Sequence, residues 1–183
     1  AGYRGVFLQR AGRKDGCATF WLTSRASLID RHDIDFCQLG LGENVALVVR
    51  LRPTLSSRDS GSSDSGEPGA PALVVSNTHI CFDPARGDVK LGQIRTLLGA
   101  VEAQLHREPA SVGVLAGDWN MTPRCPLYEF ISAGRLDLGC HSRRKLAGQV
   151  KGIGHCNYFA AVARTGSGNA RAEAGRPGRG GWA

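Results

Sequence analysis

The chain opens with two short runs of strand-forming residues, 5–10 and 16–22, rich in Val, Phe, Thr and Trp. Between them Asp15-Gly16 is a strong hairpin signal, so the first element predicted is a β-hairpin. Residues 27–37 alternate loosely through Leu28, Ile34 and Phe36 and predict an edge-like strand. Residues 44–51 alternate cleanly, with Val45, Leu47, Val49 and Leu51 on one face, until Pro53 ends the run. Residues 72–80 are fully apolar at Leu73-Val74-Val75, the pattern of a central strand. The period then changes. Leu91, Ile94, Leu98, Val101 and Leu105 recur at three- and four-residue steps, with Leu97 beside them, and predict one long helix over residues 88–107. Asp88 stands where an N-cap would, and Pro109 closes the far end. Residues 111–116 return to a strand that fits a buried position. Residues 126–131 suit a short helix, with Pro126 in its first turn and Gly134 after it. A helix between two strands in a strand-rich chain predicts an α/β sandwich with mixed sheets.

Two stretches lack any apolar period. Residues 56–71 are almost only Ser, Gly, Asp and Pro and predict a flexible inserted loop. Beyond Leu138 the pattern dissolves into a Gly/Arg-rich end, which divides the chain into a folded part, residues 1–139, and a disordered tail, 140–183. The net charge of +7 belongs to that tail. Residues 1–139 hold 15 Lys and Arg against 15 Asp and Glu, whereas residues 140–183 hold 8 against the one acid Glu173. The neutral body therefore makes no electrostatic case for nucleic-acid binding; the tail does. The six cysteines form no Cys-x-x-Cys pair. That usage fits reduced thiols in a cytoplasmic or nuclear protein and argues against structural zinc. No run approaches the roughly 18 apolar residues of a membrane span.

The chemistry gathers at two strand ends. One apolar run finishes in Asn77-Thr78-His79, the other in Gly117-Asp118-Trp119-Asn120. Asp118 and Asn120 are two apart, so at the end of a strand both can face one side. A carboxylate, an amide and an imidazole at strand ends are the parts of a hydrolytic site. Gly-Asp-x-Asn is equally ordinary turn chemistry, and a His after a strand is often only a hydrogen-bonded structural group. Arg86 and Lys90 read as a solvated helix face, with contact to phosphate as the other reading.

These motifs, with the hairpin stretch from Lys14 to Phe20, resemble the endonuclease/exonuclease/phosphatase superfamily. The runs Asn77–Gln93 and Gly117–Ile131 are similar to the Angel homologs, relatives of the poly(A) deadenylases. The resemblance implies a two-sheet α/β sandwich, a Mg²⁺-dependent site and phosphoester hydrolysis at RNA 3′ ends, on 2′,3′-cyclic phosphates or on poly(A). By that resemblance Asp118 orients or deprotonates the attacking water and shares in metal binding. Asn120 binds a phosphate oxygen, and His79 stabilises the developing charge. Asn77 stands with the substrate-binding residues, and the proline matching Pro84 packs on the terminal base. Translation-initiation or mRNA-decay factors are the implied protein partners. The family's Leu-Gln-Glu metal motif and its terminal Ser-Asp-His do not occur here. The expectation is therefore a fragment with about half a site, poorly folded and inactive by itself. A non-catalytic protein that binds RNA or a translation factor is the alternative.

Overall fold

The computed structural model of the chain describes residues 2–54 and 70–150. The serine-rich insert lies outside them except for Ala70 and Pro71, as does the chain beyond Val150. The predicted hairpin forms from β1 (Tyr3–Gln9) and β2 (Gly16–Leu22), paired in register from Tyr3 opposite Leu22 to Gln9 opposite Gly16. The left-handed residue of its loop is Gly12 (φ 68°), not Gly16. Gly16 already belongs to the ladder, where a Cβ would stand 2.1 Å from the Leu8 carbonyl oxygen. Asp15 instead accepts from Arg10 Nη1 at 2.9 Å.

The second sheet has four strands in the order β3 (Ala26–Asp35), β4 (Val45–Pro53), β5 (Leu73–His79) and β6 (Val112–Asp118). β3 is an edge among the described residues, as expected. β4 is buried on both faces. Val45, Leu47, Val49 and Leu51 pack with Cys17 and Trp21 of the hairpin, while Ala46 and Val48 pack with Leu97 and Val101 of the helix α1 (Gly87–His106). The result is a layer of hairpin, a layer of sheet and a layer of helix, the α/β sandwich arrangement. Burying a side chain such as Leu97 or Ile94 contributes about 1.5–3 kcal/mol.

β5 and β6 run parallel, and α1 is the crossover that a parallel pair requires. That topology decides the site, because both strands then finish at the same edge of the sheet, with His79 opposite Asp118.

Several expectations are corrected. β6 is not buried: all seven residues are exposed, including Val112, Val114 and Leu115, because it is the outer strand among the described residues. Its apolar sequence matches an interior position that nothing described here covers. The helix N-cap position is Arg86, without a side-chain cap, and Asp88 lies in the first turn, where its carboxylate suits the helix dipole. The short helix α2 (Pro126–Ala133) does end at Gly134, which takes φ 70°. Its cap is Cys125, whose Sγ accepts from Tyr128 N. Finally, residues 140–149 belong with the body. Leu146 and Ala147 are buried with Ile94 and Leu127. Backbone bonds Thr122 N to Ala147 O (2.9 Å) and Leu127 N to Leu146 O (3.1 Å) hold them there. The compact unit ends at Gln149. Two apolar residues among charges carry no period, so the pattern could not place them.

Candidate active site

The strand register brings Asn77, His79 and Asp118 onto the face that looks toward the hairpin, since directly opposed and alternate residues share a side. His79 and Asp118 remain open at the edge, with side chains 47% and 59% exposed, and His79 Nε2 lies 3.7 Å from Asp118 Oδ2. The imidazole makes an ion pair with the carboxylate only when protonated. An exposed carboxylate beside an imidazole is an arrangement able to take and give protons.

Asn77 does not project into this opening in the same way. Its Nδ2 donates to Ala18 O at 2.7 Å and ties β5 to the hairpin. Asn120 departs further from expectation. It is 4% exposed, its backbone is left-handed (φ 45°), and its Nδ2 donates to Ile80 O at 2.8 Å. Its Oδ1 is buried with no hydrogen-bond partner among the described residues. The side chain is tucked between the two strand-end loops rather than offered to a phosphate. Pro84 sits half-buried in the Asp83–Arg86 turn that leads into α1.

Around the pair the backbone is fixed from several sides. Ile80 N donates to Asp118 O at 2.9 Å, and Asn120 N donates to Asp118 Oδ1 at 3.0 Å, which leaves Oδ2 toward His79. Gly117 (φ 128°) allows the close crossing of Thr78, whose carbonyl would be 1.9 Å from a Cβ there. Asn44 Nδ2 donates to His79 O at 2.6 Å. Gln93, fully buried on α1, accepts from Cys81 N at 2.8 Å and donates to Asn44 Oδ1 at 3.2 Å. Lys90, one turn earlier, is 0% exposed and donates to Asn120 O at 2.6 Å and to Gln149 Oε1. Burial pushes its ammonium below the usual lysine range. Neither sequence reading of Lys90 holds, because it is neither solvated nor aimed at substrate. Arg86 is exposed and paired with Asp88 at 3.2 Å.

Asn44, Lys90 and Gln93 were therefore missed as residues that shape the site. A signal did exist. Lys90, Gln93, Leu97 and Val101 fall on one helical stripe, and polar groups inside an apolar stripe need dedicated partners.

Beside Asp118 an open groove of about 470 Å³ is lined by Trp119, Met121, Pro123 and Tyr128, among others. Among the described residues no group of three or more His, Cys, Asp or Glu could hold a metal ion. Mg²⁺ takes six oxygen ligands and is commonly held by one or two carboxylates with waters and substrate phosphate. Asp118 supplies one such carboxylate, with Oδ1 already engaged, so the described residues do not by themselves make a Mg²⁺ site.

No protein-family model matches the chain. Carbon catabolite repressor protein 4 homolog 6 of Arabidopsis thaliana is 41% identical over 153 residues, which is 81% of this chain and 20% of that protein. Protein angel homolog 2 of Mus musculus is 34% identical over 155 residues, 81% of this chain and 27% of the relative. The crystal structure of ANGEL2, a 2′,3′-cyclic phosphatase, in complex with adenosine-2′,3′-vanadate superposes with a TM-score of 0.69 at 34% identity, over 82% of this chain and 42% of that one. The chain thus spans between a fifth and just over a quarter of the curated relatives named here. It belongs to the endonuclease/exonuclease/phosphatase superfamily, in the branch that holds the Angel and carbon catabolite repressor 4 homologs.

Proposed function

We propose that the protein hydrolyses phosphoesters at RNA 3′ ends and that a terminal 2′,3′-cyclic phosphate is its substrate. The observation that carries this reading is the His79–Asp118 pair, open to solvent at the edge where two parallel strands end. The similarity to a 2′,3′-cyclic phosphatase supports the choice of ester. In this reading Asp118 accepts a proton from the attacking water as its oxygen bonds to phosphorus. The bond from phosphorus to one ribose oxygen breaks, and that oxygen takes a proton from protonated His79. The products are a phosphate monoester and a free ribose hydroxyl. A charged donor beside the phosphate also lowers the energy of the developing anion. Asn120 shapes the loop rather than touching phosphate. Mg²⁺ is the cofactor of the proposal, with Asp118 as one oxygen ligand and the others supplied by waters, phosphate or groups beyond those described. The protein acts in the cytoplasm, where its cysteines stay reduced.

The test is turnover of short RNAs ending in 2′,3′-cyclic phosphate or in oligo(A), with and without Mg²⁺ and beside Asp118→Ala. The proposal expects slow opening of the cyclic ester, lost in Asp118→Ala and on chelation. Turnover of oligo(A) alone would move the reading to a deadenylase. Absence of any turnover, with RNA still bound through the basic end, would favour a non-catalytic binding protein.

A further inference from the structure

We propose that Lys90 is a positioning residue: its buried ammonium grips the carbonyl of Asn120 and so fixes the Asp118–Asn120 corner on which the proposed chemistry depends. The inference rests on the hydrolase reading for its functional consequence but on geometry for its structural part. Asn120 holds a left-handed backbone that a non-glycine residue adopts at some cost, so something must over-determine it. Three bonds do so from three directions. The amide N–H is tied to Asp118 Oδ1, the side-chain Nδ2 to Ile80 O, and the carbonyl to Lys90 Nζ. Only the last comes from outside the two strand-end loops, and it comes from a helix, the most rigid support available. Gln93, three residues on and on the same face, holds the other loop at Cys81. α1 therefore grips both loops at once, Lys90 the one after β6 and Gln93 the one after β5.

A buried lysine is a costly way to fill space, and an apolar chain of the same length would pack there without the desolvation penalty. Its charge is used on a neutral carbonyl and on Gln149 Oε1. The expected consequence of its loss is a corner that still forms but wanders, and a displacement of about 1 Å costs roughly a hundredfold in rate.

The experiment is hydrogen–deuterium exchange on Lys90→Met, with Gln149→Ala beside it, followed by kinetics on RNA ending in 2′,3′-cyclic phosphate. Lys90→Met keeps the length of the side chain and removes its donors. It is expected to speed exchange at residues 118–122 by roughly tenfold or more while the β1–β2 hairpin stays at its original rate. Gln149→Ala removes only the second partner and is expected to leave residues 118–122 near the original rate. In kinetics Lys90→Met lowers kcat with KM little changed. Unchanged exchange at residues 118–122, a uniform rise across the chain, or an equal rise in Gln149→Ala would each overturn the proposal. If Lys90→Met does not fold, Lys90→Gln, which keeps a donor on a shorter stem, is expected to give an intermediate local rise; a uniform one would overturn it. A starting chain without turnover counts against the hydrolase reading, and the exchange result still decides whether Lys90 holds the corner.

Discussion

His79 and Asp118 lie directly opposite each other in the parallel pairing of β5 and β6, with Nε2 3.7 Å from Oδ2. They are 39 positions apart in sequence, and the crossover helix closes that distance. Asp118→Asn keeps an oxygen that can accept from Asn120 N but abolishes the base, and His79→Gln keeps a polar group but abolishes the acid. Each is expected to lower turnover of the cyclic ester by about a hundredfold or more, with the thermal midpoint nearly unchanged. Rate assays beside thermal melts check this.

Gly117, next to last in β6, lets that strand lie close against Thr78 just before Asp118. At φ 128° with a carbonyl 1.9 Å from the site of a Cβ, Gly117→Ala faces both backbone strain and a clash. A loss of about 3 kcal/mol is expected, read as a shift in the denaturant midpoint. A variant as stable as the parent would show that the crossing of β6 over Thr78 is not as described.

Asn44 holds the His79 carbonyl, and Gln93 holds Asn44. Asn44→Ala removes the donor to the part-buried His79 carbonyl, which costs about 1 kcal/mol. Because both residues serve one network, the double variant Asn44→Ala with Gln93→Ala is expected to lose less than the sum of the singles. Denaturant titration of all four proteins gives that comparison.

Far from the site, Glu108 joins β4 to the start of β5, accepting from Arg52, Arg50 and Ala72 N. The Arg52 guanidinium holds its carboxyl below the usual glutamate range. For an acid with a lowered folded pKa the stabilisation is complete above the unfolded value and is lost as pH falls through the folded one. Glu108→Gln is therefore expected to lower the melting temperature at neutral pH and to matter progressively less toward acid pH. Melting curves from neutral to pH 3 read the difference; an equal loss at every pH would contradict it.

Much of the architecture is legible in the chain because its strands and its helix have different apolar periods. The hairpin, β4, β5, α1 and α2 all follow from that, and Gly134 stops α2 by the left-handed turn it permits. The exposure of β6 is not legible, since Val112, Val114 and Leu115 record what an interior strand needs rather than what covers it. Nor is the fate of Asn120, because a Gly-Asp-x-Asn corner reads alike whether the amide points outward or folds beneath its own loop. Lys90 fails for a related reason: a single lysine looks solvated until a specific acceptor is found for it. Leu146 and Ala147 are too short a run to show any period, so their docking could come only from tertiary contacts.

The most direct measurement of the central claim is a titration of the ¹⁵N-labelled protein with adenosine-2′,3′-vanadate in the presence of Mg²⁺. If the edge where β5 and β6 end is where a cyclic phosphate is met, amide shifts will concentrate at Thr78–Asp83 and Gly117–Met121. They will be absent when Asp118→Asn is titrated in the same way. Shifts confined to other strands, or unchanged in Asp118→Asn, would contradict the placement of the active site at His79 and Asp118.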